Sequence, residues 1–160
     1  MNDTANLRPI DRWLGNYSGD HLHHTNQRIH LLCVPTIVWT VMAALWAIPV
    51  PPALGQPGLW AALALALTLG YYWRLSRPLA MGALLGFVVM GLLCHALYQR
   101  LGSGGLLQVA GAVFVLAWIG QFIGHAIEGK RPSFFTDLVY LLIGPLWTLS
   151  KLYRKLGVGY

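Results

Sequence analysis

Charge is the scarcest property of this sequence. Only 10% of its 160 residues are Asp, Glu, Lys or Arg, and five of them are acidic. A soluble domain carries about 25% charged residues, so composition excludes an ordinary water-facing surface. The 56% of apolar residues point instead to a chain solvated by lipid. Cysteine is nearly absent. Cys33 and Cys94 have no metal-binding spacing. They are expected near opposite bilayer faces, too far apart to bridge, and both read as small apolar packing residues. No serine-nucleophile, P-loop or dinucleotide pattern is present, and Gly102-Ser103-Gly104 lacks the strand-to-helix setting of a nucleophile elbow. Residues 1–20 have no apolar signal-peptide core, so insertion is expected to use the first true span.

The net charge of +6 is not arranged as a nucleic-acid footprint. Its basic residues flank apolar runs, where they orient helices and meet anionic headgroups. The expected partner is therefore membrane lipid and not nucleic acid. The runs predict spans over roughly 29–49, 59–73, 79–98 and 106–127, with Pro35 kinking the first and Gly102 to Gly105 forming a turn before the last. Gly82, Gly86, Met90 and Gly91 offer close helix contact on the third span. Residues 138–149, with Gly144-Pro145 inside, are too short to cross comfortably and fit an interfacial or re-entrant segment. Arg8, Arg12 and Arg28 precede the first span, Arg74 and Arg77 follow the second, and Lys130 and Arg131 follow the fourth. The positive-inside rule then puts the N-terminus inside. The expected fold is an all-α polytopic membrane helix bundle of about four transmembrane spans plus that C-terminal segment. It forms one domain, 1–160, whose polar N-terminal part is 1–28. A bacterial inner membrane, with the N-terminus on the cytoplasmic side, is the expected location. The tryptophans sit mostly at span ends, as an aromatic belt would, and no chemistry is assigned to them.

Two polar stretches interrupt this pattern. One is His21-Leu22-His23-His24-Thr25-Asn26-Gln27-Arg28-Ile29-His30, which Asp20 is expected to cap. The other closes the fourth span with Gln121, His125 and Glu128 at i, i+4 and i+7 on one helix face, before Gly129 ends the helix. The four-span topology puts both at the inner face, so they are expected to meet. His95, some 16 residues into the third span, lies about 24 Å along its helix and is excluded. Histidines with a carboxylate and no thiolate fit non-haem iron better than structural zinc. Glu128 reads either as a site residue or as an outer partner fixing a ring tautomer. A solvated turn of interfacial histidines is the other reading of the same residues.

Read together, the stretches are His21-x-x-x-x-Asn26-x-x-Ile29-His30-x-x-x-Val34-Pro35 and Trp118-x-x-Gln121-Phe122-Ile123-Gly124-His125-x-x-Glu128, followed by Lys130-Arg131-Pro132 and Asp137-Leu138. They resemble the membrane-embedded, iron-dependent 2-hydroxy fatty acid dioxygenases of fungal phytosphingosine breakdown and their bacterial relatives. The resemblance covers roughly residues 13–155. It implies an α-oxidation in which Fe(II) and molecular oxygen cleave a 2-hydroxy fatty acid between C1 and C2, giving an acid one carbon shorter. It carries His21, His30 and His125 over most directly as iron ligands. His23 and His24 follow less directly, because spacing within the first motif varies. Cys33 stands where relatives commonly have glycine. Glu128 joins the three histidines as a candidate catalytic residue. Asn26, Gln121, Lys130 and Arg131 are candidates for holding the substrate, the two cations as a carboxylate clamp. The competing classes are a non-catalytic packing or transport protein and a di-histidine haem electron carrier. The latter needs axial histidines facing one another within the spans.

Overall fold

The computed structural model describes residues 7–129 and 134–160. Among them are five helices and no strand: α1 (Pro9–Asp20), α2 (His24–Ala47), α3 (Leu59–Leu75), α4 (Arg77–Glu128) and α5 (Phe134–Lys155). The all-helical expectation holds. Two of these helices, α2 and α4, are long and apolar enough to cross a membrane.

The N-terminal segment, read only as polar, contains a helix. Pro9 sits in its first turn, and Ile10, Leu14 and Tyr17 at i, i+4 and i+7 bury one stripe. Asp20 closes this helix rather than opening the next one. The chain turns at His21 to His23, and His23 becomes the N-cap of α2, its Nδ1 accepting the Thr25 N–H at 3.1 Å. Pro35 lies inside α2. The uncharged loop that follows ends at Gly58, in the left-handed region at φ 95°, where the Trp46 ring leaves no room for a Cβ.

At 52 residues, α4 would measure about 78 Å if straight. It is broken at Gly102, with φ 67° and ψ −176°, into limbs 77–101 and 103–128. The turn expected over Gly102 to Gly105 is thus one residue wide; Ser103, Gly104 and Gly105 are helical. The first limb reaches the end of α2, where Gly91 and His95 meet Trp46. The second limb returns antiparallel to α2, with Gly120 against Cys33 and Gly124 against Asn26. Both cysteines are buried and unbridged. The close approach of the two helix backbones falls on Gly120 and Gly124; of the third-span glycines, Gly82 lies tight against the Tyr153 ring and Gly91 against Trp46, while nothing lies within 4 Å of a Cβ built at Gly86.

Amphipathic α5 packs on α1, α2 and α4. Its Gly144 lies against Val34 and Tyr17, and its Leu142 carbonyl accepts the Tyr72 hydroxyl at 2.6 Å. Tyr153 donates to the Pro78 carbonyl at 2.9 Å. The outer faces of α3 and α4 leave Leu67, Leu85, Leu92, Leu116 and Phe122 exposed. Such a continuous apolar surface is unusual for a monomer in water.

A methyl group at Gly124 would meet Asn26 Oδ1, with Asn26 Cγ at 3.3 Å and His30 Cε1 at 3.5 Å. Gly124→Ala is therefore expected to destabilise the protein by about 1–3 kcal/mol. Gly86→Ala, in open space, is expected to be neutral or stabilising by up to about 1 kcal/mol. Thermal melting of both variants in detergent separates the two sites.

Candidate metal centre

Three histidines converge where the second limb of α4 meets the start of α2. His21 comes from the turn after α1, His30 from the second turn of α2, and His125 from the last turn of α4. All three are buried, and one ligating nitrogen from each lies within 4.8 Å of the others. Ring centroids are 4.3 Å apart for His21–His30, 5.0 Å for His30–His125 and 5.5 Å for His21–His125. Tyr17 stacks on His21 at 4.3 Å and 10°, with Trp147 5.9 Å away on α5.

Two rings are oriented by the same local device. His21 Nδ1 lies 2.7 Å from the Tyr17 carbonyl, and His30 Nδ1 lies 3.1 Å from the Asn26 carbonyl, each four residues upstream. A carbonyl only accepts, so Nδ1 carries the hydrogen in both and Nε2 keeps its lone pair. His21 Nε2 and His125 Nδ1 are buried without a hydrogen-bond partner. Such orphaned ring nitrogens are costly unless something binds them, and a cation coordinated by imidazole satisfies them. Backbone carbonyls behind the rings are the usual outer support of metal-binding histidines. The residues present therefore fit a metal. Burial pushes the His21 imidazole below its ordinary range, and nearby His125 adds to the effect, while its bond to Tyr17 opposes it. The neutral ring is the ligand form.

Glu128 works from outside the group. Its carboxylate accepts the Leu22 N–H at 2.9 Å, the His23 N–H at 2.9 and 3.1 Å, and Asn26 Nδ2 at 2.9 Å. It thus ties the turn bearing His21 to the end of α4. Gln27 holds the same turn by donating to the His21 carbonyl at 2.8 Å, and Lys151 of α5 donates to Gln27 Oε1 at 3.2 Å. A cavity opens beside the histidines, lined also by Tyr17, Gln121, Tyr140, Trp118 and Leu141.

The fold brings His21, His30 and His125 together, with Gln121 on the cavity wall. It does not bring His23 or His24 to them; both are exposed. Asn26 is buried between α2 and α4, its amide engaged by Glu128. Lys130 and Arg131 lie outside the described residues. His95 is exposed beside Trp46, away from the cluster. Sequence reasoning missed Tyr17, Tyr140, Trp147, Gln27 and Lys151. Only Tyr17 carried a signal, standing four residues before His21 as Asn26 stands before His30.

The family described as 2-hydroxy-palmitic acid dioxygenase Mpo1-like matches residues 7–156. The chain belongs to this family. The 2-hydroxy-palmitic acid dioxygenase MPO1 of Saccharomyces cerevisiae is 29% identical over 152 residues, covering 90% of this chain and 79% of that protein. No solved structure matches. The Mpo1-like match includes both histidine-bearing stretches and all five helices.

Glu128→Ala in this Mpo1-like chain is expected to cost about 1 kcal/mol, the scale of a lost helix cap, because water reaches the exposed Leu22 and His23 N–H groups it frees. Chemical or thermal unfolding measures this loss. The depressed His21 pKa has a second consequence. The unfolded chain takes up a proton near the ordinary value of 6.5 while the folded ring resists it. Stability of the metal-free protein is therefore expected to fall as pH drops below about 6.5. Melting curves from about pH 8 down to about pH 5 check the sign.

Proposed function

We propose that this Mpo1-like protein is an Fe(II)-dependent dioxygenase that converts a 2-hydroxy fatty acid to the acid one carbon shorter. The observation that carries the reading is the convergence of three buried histidines with unpartnered ring nitrogens beside a cavity. Membership in a dioxygenase family agrees with it. The reaction balances with one molecule of oxygen: C2 rises from alcohol to carboxylic acid, C1 leaves as carbon dioxide, and water forms.

In this reading His21, His30 and His125 hold the iron. When bound, the ion supplies oxygen activation and a template for the substrate's carboxylate and hydroxyl. The chain supplies the rest. The Tyr17 and Asn26 carbonyls hold two imidazoles in the ligating tautomer. Gln121, on the cavity wall, contacts the polar head of the substrate, and Lys130 or Arg131 meets its carboxylate. Trp118, Val34, Ile37 and Leu141 form an apolar wall that limits water. Glu128 positions the His21 turn rather than touching substrate. The apolar helices embed the protein in a membrane, with amphipathic α1 and α5 at headgroup depth on the cytoplasmic side.

Purified protein reconstituted anaerobically with Fe(II), then given 2-hydroxypalmitate and oxygen, is expected to yield pentadecanoate. His125→Ala is expected to lower the rate at least about 100-fold, the scale reported for disturbed metal shells. Mass spectrometry of the fatty acids provides the readout. Full turnover by His125→Ala sinks the assigned site, and a wild type that binds iron but forms no shortened acid sinks the reaction.

A further inference from the structure

A second cavity lies between α2, α3, α5 and the first limb of α4. Leu141 lines both it and the histidine cavity. One stripe of α2 also serves both. His30 and Val34 face the first cavity, and Val38, Val41 and Leu45 face the second, at steps of three or four residues. From Val34 to Leu45 this stripe runs about 16 Å along the helix. That matches one leaflet's share of a hydrocarbon core roughly 30 Å thick.

The second cavity offers nothing to a polar ligand. Its Thr68 hydroxyl donates to the Ala64 carbonyl at 2.9 Å, and its Tyr72 hydroxyl donates to the Leu142 carbonyl at 2.6 Å. The remaining lining is aliphatic or aromatic, apart from Pro145. A cavity of that kind stays dry and takes apolar guests. Val41 and Leu142 are 38% and 45% exposed, so it opens sideways, where a chain can enter from lipid.

We propose that this cavity is the alkyl-tail subsite of the histidine centre. An unbranched saturated chain passes Leu141 and lies along the α2 stripe, and Ala61 and Ala64 on α3 leave the room that sets its accepted length. The inference rests on the reading that a 2-hydroxy acid presents its polar head to the histidines.

Two measurements test it. The first compares turnover of 2-hydroxypalmitate and 2-hydroxyoctanoate by wild type and Ala64→Phe. A phenyl ring in the far part of the cavity displaces methylenes of the longer tail only. The octanoate-to-palmitate ratio of kcat/KM is expected to rise at least about tenfold, the worth of roughly two buried methylenes. An unchanged ratio overturns the subsite. The second needs neither turnover nor a variant that folds. Wild type is irradiated with 2-hydroxypalmitate bearing a diazirine at its terminal carbon, and the label is mapped by peptide mass spectrometry. Label on Val41, Leu45, Ala61 or Ala64, displaced by unlabelled 2-hydroxypalmitate, supports the subsite. Label confined to outward residues such as Leu67 and Leu85 overturns it. So does labelling of the cavity by a diazirine phospholipid that 2-hydroxypalmitate fails to displace. If label reaches the cavity while no 2-hydroxy acid is turned over, the proposed reaction falls and the tail site stands.

Discussion

The site depends on one contact: the close antiparallel approach of α2 and the second limb of α4. Gly120 and Gly124 let the backbones meet, with Cys33 and Asn26 filling the space a side chain would need. Glu128 then fastens the far end of that limb to the Leu22 and His23 N–H groups and to Asn26. Residues about a century apart in sequence are held as one unit, and His125 is carried to His30 and His21. Without the approach, the three rings would sit on separate surfaces and could not share an ion.

The same contact explains how an electrostatic cost is tolerated. Three buried imidazoles are packed against one another and against Tyr17, and two ring nitrogens have no partner. Unsatisfied buried acceptors destabilise a fold by about 1–3 kcal/mol each. The surrounding hydrogen bonds do not relieve them; they aim them, since the Tyr17 and Asn26 carbonyls occupy the opposite nitrogens. Binding energy at such a centre is therefore also folding energy. Amphipathic α1 and α5 close the arrangement from one end: Trp147 Nε1 donates to Ser18 Oγ at 2.9 Å, and Tyr140 donates to Asp20 at 3.0 Å. The apolar helices beyond them leave a wall of exposed leucine, valine and phenylalanine.

Much of this arrangement was legible in the chain. The four apolar runs correspond to α2, α3 and the two limbs of α4, because long stretches without charge have few other solutions. Four crossings do not follow from the structure, which has two helices of crossing length and hydropathy. Placing two polar stretches at the same ends of distant helices brought their histidines together, and the family resemblance, not the placement, singled out His21, His30 and His125. Other features needed the tertiary structure. Glu128, one turn after His125, reads from spacing as either a site residue or an outer partner; only the fold shows its oxygens accepting from Asn26 and from backbone N–H groups of a turn 105 and 106 residues upstream. Among the small residues of the third span, Gly82 and Gly91 do meet neighbours, Tyr153 and Trp46, but no pattern marked Gly120 and Gly124, whose partners lie on α2. Ser103, Gly104 and Gly105 read as loop, yet a single positive φ at Gly102 reverses the chain, and the rest join the returning helix. The stripe of Ile10, Leu14 and Tyr17 was hidden among polar neighbours, although its spacing was helical.

The most direct measurement is X-ray absorption on the iron-loaded protein in detergent, wild type beside His21→Ala, His30→Ala and His125→Ala. The account predicts a first shell of nitrogen and oxygen with imidazole scattering from three rings in the wild type. Each substitution should remove one ring's contribution or abolish binding. An iron signal that keeps the same imidazole scattering in all three variants would contradict the centre described.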